Sequence, residues 1–230
     1  MEFNTPKEKI THYIDKGIIQ DISLARLSYS LLMSTGRNGK KSETTRYRQL
    51  FEDLQRVLSD HVILNITKLF EKPNSRYEII SLPTTLQVIV ENIANLDIVE
   101  RPLVGQQLHG LGIDVPQPWT LPPVELSQVI VKYFANTLES LENSTTLEAL
   151  RVLRNKRIAH RELIDISGSP TTTFCDAFEL IKFAQNFVIV AGTAYTSVLH
   201  GFVNEDFFLG EDAERGSRAM DHLVDTVLKS

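Results

Sequence analysis

The residues best suited to chemistry lie in one short segment, 151–161, which carries five lysine and arginine side chains, one histidine and no carboxylate. Its cationic and titratable residues are Arg151, Arg154, Lys156, Arg157, His160 and Arg161. The planar fork of donors on an arginine suits that side chain to hold a phosphate group. A histidine titrates near neutral pH and is suited to move protons. This combination predicts a site that works on phosphate esters.

The spacing of Arg154 and His160 favours one particular reaction. On an α-helix, six residues turn by about 600° and rise by about 9 Å, so the two side chains leave adjacent shoulders and reach a common phosphate. We expect cleavage of RNA by attack of the 2′-hydroxyl on the neighbouring phosphate, which needs a base, an acid and stabilisation of negative charge. Each chain supplies one such histidine, so a two-fold homodimer would supply both proton-transfer groups.

The elements that position this segment are predicted to be helices. Apolar residues recur at three- and four-residue steps along four stretches, which is typical of helices with a buried face. The stripes run from Ile18 to Leu32, from Tyr47 to Leu69, from Leu126 to Leu141 and from Ala177 to Val198. The last stretch has a second apolar seam and is expected to be the central helix. The sequence predicts an all-α fold, an antiparallel helical bundle of four to five long helices with short accessory helices.

Helix-breaking residues divide the chain. We expect a single helical bundle over 1–203, with an irregular excursion at 97–123 where prolines and glycines are dense. One short helix is expected inside this excursion, near 103–108. Residues 204–230 are expected to form a C-terminal tail with a short helix from Arg218 to Leu228. The basic segment itself falls in a helix predicted over 147–164, which opens with a capping box of Thr145 and Glu148.

The composition excludes several classes of protein. The 230 residues carry 24 Lys and Arg against 29 Asp and Glu, a net charge of −5, which excludes a strongly basic nucleic-acid coat but not a local basic site. The single cysteine excludes an intramolecular disulfide, and the six histidines show no metal-binding spacing. We therefore expect no metal and no cofactor, and a reducing cytoplasm as the compartment.

The stretch 183–203 needs separate treatment because it contains no Asp, Glu, Lys or Arg. It does contain polar residues such as Gln185 and Asn186, so a buried core helix is favoured over a membrane span. The first residues also lack the short apolar run of a signal peptide. We expect no interaction with a membrane.

Three single residues allow specific predictions. Asn65 interrupts an apolar stripe and is expected to be buried and hydrogen-bonded, with a minor alternative in which it orients His160. Cys175 is expected to be a small core residue. Trp119, in a proline-rich stretch, is expected to pin its loop to the bundle rather than to stack on a base.

The pattern of Arg154, Asn155, four further residues and His160 resembles the signature of the HEPN superfamily. That signature is an arginine, four to six residues with a polar one first, and a histidine. The string from Arg154 to Glu162 is similar to that of the abortive-infection branch, the AbiU-like group. The segments 60–71 and 178–181 also resemble helices of this branch, so the resemblance covers most of residues 20–200.

The resemblance implies a dimer of helical bundles whose two motifs meet at the interface, and metal-independent endoribonuclease activity in active members. Arg154, His160 and Asn155 would then be catalytic. The neighbouring cations would bind adjacent phosphates of the RNA; these are Lys156, Arg157, Arg161 and Arg151. Such proteins often act as toxins or phage-defence effectors, which makes an antitoxin protein a possible partner.

Two other interpretations of the basic segment stay open. In one, the chain is a non-catalytic module whose basic cleft binds RNA, a nucleotide or a partner protein. Salt-sensitive RNA binding without cleavage products would favour that hypothesis. In the other, the chain is a purely structural bundle, and the arginines pair with acidic residues of the same chain.

Overall fold

The computed structural model describes residues 3–39, 46–159, 171–196, 198, 202–203 and 206–227. Its α-helices in chain order are α1 (Pro6–Tyr13), α2 (Ile19–Arg37), α3 (Arg48–Leu69), α4 (Leu82–Glu91), α5 (Arg101–Gly110), α6 (Pro123–Glu142), α7 (Thr145–Leu153), α8 (Phe174–Ala191) and α9 (Phe208–Val227). π-Helical turns extend α1, α7 and α8, over Ile14–Ile18, Arg154–Ala159 and Gly192–Thr196. A short 3₁₀ turn lies at Ile93–Asn95, and the two-residue strands β1 (Phe202–Val203) and β2 (Asp206–Phe207) pair antiparallel.

The all-α class predicted from the apolar periodicity is confirmed. Five of the described helices have 18 or more residues, namely α2, α3, α6, α8 and α9. Among the described helices, none combines the length and the apolarity needed to span a bilayer. The stretch 183–196 is instead buried inside the bundle.

Helix α8 lies at the centre of the core, as its two apolar seams predict. The side chains of both seams are buried from Ala177 to Tyr195, and they are Ala177, Leu180, Ile181, Phe183, Ala184, Phe187, Val188, Val190, Ala191, Ala194 and Tyr195. Val198, the last residue of the predicted stripe, is 38% exposed because it lies beyond the end of the helix. Phe134 of α6 packs edge-on against two aromatic rings of α8, Phe183 and Phe187. The start of this helix is fixed by a complete capping box, which Thr173 and Asp176 form.

The long helices do not all alternate in direction. Helix α3 runs antiparallel to α2, because His61 contacts Ser28 while Lys68 contacts Asp21. Helix α9 runs parallel to α2, since Gly216 lies against Leu27 while Asp221 lies against Ser34 farther along. The C-terminal helix α9 therefore packs along α2.

The tail helix differs in length from the prediction. It begins at Phe208 rather than at Arg218, and its carboxylate Asp221 accepts hydrogen bonds from Ser34, Arg37 and Asn38 at the end of α2. These hydrogen bonds, of which the one from Ser34 has the largest effect, hold the pKa of Asp221 below its usual range. The boundary drawn between 203 and 204 stays a prediction.

The excursion at 97–123 contains the expected short helix, α5, which is longer than predicted and extends over Arg101–Gly110. In the following loop Pro118 packs directly against the backbone of Gly105. The contact is so close that a Cβ on Gly105 would lie 2.2 Å from Cγ of Pro118. Trp119 does not pin this loop, since its side chain is 59% exposed. That prediction is wrong because the buried neighbour Pro118 already fills the contact with α5.

The N-cap of the helix that carries the basic segment lies one residue before the predicted cap. Ser144, and not Thr145, is the N-cap, and its hydroxyl accepts a hydrogen bond from the backbone N–H of Leu147. Both are hydroxyl residues, and the tight turn after α6 decides which one caps the helix. Helix α7 ends at Leu153, where the backbone passes into the π-helical turn. The predicted end at Ile164 lies outside the described residues.

Candidate functional site

The basic segment begins on α7 and continues into the π-helical turn Arg154–Ala159. Leu147, Ala149 and Leu150 are buried and fix α7 against the core. A π-turn bonds residue i to i+5 and is frequent at functional sites. Each residue then turns by a smaller angle than on an α-helix, so the side-chain directions expected from an unbroken α-helix do not apply after Leu153.

Arg151 is held by a carboxylate and a carbonyl. Its Nη1 and Nη2 donate to both carboxylate oxygens of Glu142, at 3.0 and 2.6 Å. Nη2 also donates to the carbonyl oxygen of Phe70, at 2.8 Å. This side chain therefore ties together the ends of α6, α7 and α3. The geometry is that of a structural clamp and gives no support to the prediction that Arg151 binds phosphate.

Glu142 is the anionic centre of this clamp. Lys72 reaches its Oε2 at 3.1 Å, in addition to the two donors from Arg151. Burial raises the pKa of Glu142, but the hydrogen bonds from Arg151 and Lys72 outweigh it and leave the pKa below its usual range. The carboxylate is thus ionised at neutral pH, and it neutralises part of the basic charge that the sequence places here.

Arg154 has a different environment three residues later. Its Nε donates to Oδ1 of Asn155 at 3.1 Å, and its Nη1 lies 3.7 Å from Oε2 of Glu71. The side chains of Arg154 and Glu71 are 25% and 39% exposed, so this ion pair lies at the surface. An anionic ligand can therefore reach Arg154 by competing with the carboxylate of Glu71.

The remaining predicted site residues are described only in part. Asn155 is exposed and Lys156 half-buried on the same turn. The backbone of Arg157 belongs to this turn as well. His160 and Arg161 lie outside the described residues. The structure thus brings together Arg154 and Asn155, while the proposed roles of all these residues stay predictions.

Sequence reasoning missed three residues of the site, Glu71, Lys72 and Glu142. A signal existed for Glu142, which ends α6 nine residues before Arg151, across the short turn between α6 and α7. No local pattern links Glu71 or Lys72 to the basic segment, because they follow α3 and lie at least 79 residues before Arg151 in the chain.

Asn65, near the C-terminal end of α3, behaves as the sequence predicts. Asn65 is buried, and its Nδ2 donates to the carbonyl oxygen of His61 at 2.7 Å, which confirms the expected buried hydrogen bond. The Nδ1 atom of His61 lies 2.7 Å from the hydroxyl oxygen of Ser28. Cys175, in contrast, is exposed. The core prediction is wrong there because Cys175 falls in the first turn of α8, before the buried stripe begins at Ala177.

The fold defines the class of protein, an all-α helical bundle. In its candidate site Arg154 lies on a π-helical turn and pairs with Glu71, whereas Arg151 is held by Glu142 and by the carbonyl of Phe70. Residues 125–214, which include the whole basic segment, match the AbiU2 family, HEPN_AbiU2. Over these residues the chain is similar to the AbiU-like abortive-infection branch of the HEPN superfamily. No curated protein and no solved structure matches the chain.

Proposed function

We propose that this protein is a metal-independent endoribonuclease of HEPN type. The observation that carries the proposal is the placement of Arg154 on an exposed turn, oriented by Asn155, within the residues that match the AbiU2 family. Among the described residues its guanidinium pairs with the carboxylate of Glu71, and a phosphodiester can take that place.

In the proposed reaction, His160 removes the proton from a ribose 2′-hydroxyl, and the 2′-oxygen attacks the adjacent phosphorus. The bond from phosphorus to the 5′-oxygen breaks, and the leaving oxygen takes a proton from the same histidine of a second copy. Arg154 stabilises the negative charge on the phosphorane. The products are a 2′,3′-cyclic phosphate and a free 5′-hydroxyl.

This scheme requires a homodimer, because one chain contributes one histidine to the motif. Lys156, Arg157 and Arg161 are the candidates to hold the flanking phosphates. The match to an abortive-infection family supports a role as a toxin or phage-defence effector in the cytoplasm, with an antitoxin protein as a partner.

A second candidate function is a binding module that holds RNA, a nucleotide or a protein without cleaving it. The occupancy of Arg151 by Glu142 favours this alternative, because it removes one cation from the cleft. For an RNA ligand, the two functions differ in whether cleavage products form.

The deciding experiment incubates labelled total RNA in EDTA with the wild type, Arg154→Ala, His160→Ala and Lys182→Ala. Lys182 is an exposed cation paired with Glu179 on α8, so it serves as a matched control. We expect discrete fragments with 2′,3′-cyclic phosphate ends from the wild type and Lys182→Ala. The two motif variants should lose about 10²- to 10⁴-fold in rate. Salt-sensitive binding without fragments from any variant would move the assignment to the binding module.

A further inference from the structure

The loop that follows α3 is anchored directly on the candidate site. Its first residues are the two that contact the basic segment, since the carbonyl of Phe70 bonds Arg151 and the carboxylate of Glu71 pairs with Arg154. Six residues beyond Glu71 lies Tyr77. An extended chain advances by at most about 3.6 Å per residue, so Tyr77 lies within roughly 22 Å of the contact with Arg154.

This loop forms one wall of a polar pocket of about 390 Å³. The pocket is lined by residues 73–79, by Lys9 and Tyr13 of α1, and by Thr84, Gln87, Val88 and Glu91 of α4. Its volume suits a flat heterocycle with part of a sugar. The loop is braced locally, because the backbone N–H of Arg76 donates to Oδ1 of Asn74 at 2.8 Å.

The pocket contains two carboxylates that can accept hydrogen bonds, those of Glu78 and Glu91. Tyr13 donates its hydroxyl to Oε1 of Glu78, and Lys9 lies 2.7 Å from the same oxygen. The hydrogen bond from Lys9, followed by that from Tyr13, holds the pKa of Glu78 below its usual range, so this carboxylate stays ionised. Glu91 adds a second carboxylate, which accepts a hydrogen bond from Gln87 at 2.7 Å. Carboxylates repel phosphate but accept hydrogen bonds from the N–H groups of a nucleobase.

The ring of Tyr77, like the carboxylates of the pocket, suits the binding of a nucleobase. Its side chain is 61% exposed although it belongs to the wall of the pocket. Exposed aromatic rings beside cationic side chains are stacking platforms for single-stranded nucleic acid. Lys72 and Arg76 supply the cations on the same loop, and both are exposed.

We propose that this pocket binds a single-stranded RNA base that flanks the cleaved phosphate, with Tyr77 stacking on the base and Glu91 accepting its N–H groups. The inference rests on the proposed function and extends it, because it adds a base-binding subsite on the α3–α4 loop to the phosphate contacts of Arg154. Binding of a base in this subsite would favour one register of the RNA strand relative to Arg154.

The test uses the full chain carrying His160→Ala, so that the RNA stays intact. A single-stranded RNA oligonucleotide with 2-aminopurine at successive positions reports stacking by quenched fluorescence, and anisotropy reports affinity. We expect quenching at one position near the scissile phosphate. Tyr77→Ala should abolish that quenching and weaken binding at least about fivefold, whereas Tyr77→Phe should retain both.

Trp119→Ala is the matched control, because Trp119 is an equally exposed aromatic residue on another loop. It should change neither signal, and free AMP at the same concentration should not displace the oligonucleotide. Unchanged quenching in Tyr77→Ala, or displacement by AMP, would overturn the inference while leaving the nuclease proposal intact. Absence of RNA binding by the parent protein would overturn both. Thermal unfolding of each variant separates a loss of the subsite from a loss of the fold.

Discussion

Asn155 accepts a hydrogen bond from Nε of Arg154, its neighbour in sequence, at 3.1 Å. The bond leaves the outer nitrogens of the guanidinium to face Glu71 or a ligand. We therefore propose that Asn155 positions Arg154 in the candidate site. This relationship explains why a polar residue directly after the arginine suits the motif.

Loss of this hydrogen bond is expected to lower kcat more than it changes KM. Asn155→Ala should reduce the rate of RNA cleavage by about ten- to a hundredfold, because small misplacements of a catalytic group have such effects. Asn155→Asp keeps an acceptor oxygen and should recover part of the loss. Steady-state kinetics on a defined oligonucleotide measures both constants. A rise in KM alone would instead assign Asn155 to substrate binding.

Removal of the competing carboxylate is expected to strengthen RNA binding. Glu71→Gln keeps the size of the side chain but frees Arg154 from its ion pair, so the Kd for RNA should fall by about two- to fivefold. Glu179→Gln, which removes the carboxylate paired with Lys182 on α8, should leave the Kd unchanged. Anisotropy in the His160→Ala background measures both. An equal Kd for wild type and Glu71→Gln would show that Glu71 does not compete with RNA.

The arginine clamp is expected to stabilise the fold and to weaken in acid. Arg151→Lys cannot reproduce the bidentate contact with Glu142 and should lower the free energy of unfolding by about 2 kcal/mol. The folded pKa of Glu142 lies below 4.5, so its contribution is present above that pH and is lost as the pH falls through the folded value. Urea unfolding at neutral and acid pH tests this, with Lys182→Ala as a control that should change little. A deficit of Arg151→Lys that is as large in acid as at pH 7 would contradict it.

The contact between α5 and its following loop predicts opposite effects for two glycines of one helix. Gly105→Ala places a Cβ 2.2 Å from Pro118, and should cost about 1–3 kcal/mol through overpacking. Gly110→Ala meets nothing within 4 Å and should be neutral or stabilise the helix by up to about 1 kcal/mol. Thermal unfolding of the two variants measures the difference. Equal melting temperatures would mean that Pro118 moves aside at little cost.

Alkaline conditions are expected to destabilise the core through Tyr195, which lies in the π-helical turn after α8. Burial raises the pKa of this phenol from 10.0 to about 12. A raised folded pKa means that the contribution is complete below pH 10 and is lost as the pH rises towards the folded value. At pH 11 the free energy of unfolding of the wild type should have fallen by about 1 kcal/mol relative to that of Tyr195→Phe. Unfolding of both proteins at pH 8 and pH 11 measures it, and a difference that does not change with pH would contradict it.

The sequence by itself determined which segments are helical and which helix is central. Apolar residues at three- and four-residue steps make a buried face whatever the neighbours are, so the stripes on α2, α3, α6 and α8 were predictable. The same reasoning missed α1, although Thr5 before Pro6 with Glu8 in the first turn is a start signal. The hydrogen bond between Arg154 and Asn155 is also a local contact, because the two residues are adjacent in sequence.

Only the tertiary structure decided what each arginine contacts. Arg151 and Arg154 are alike in sequence, yet one is clamped by Glu142 and the other meets Glu71 at the surface. The exposure of Trp119 and Cys175 was also decided by packing, because a neighbour or a helix end determines whether a residue is covered. The physical reason is that ion pairs and burial depend on groups from distant segments, and the free energy of a charge depends on what surrounds it in space.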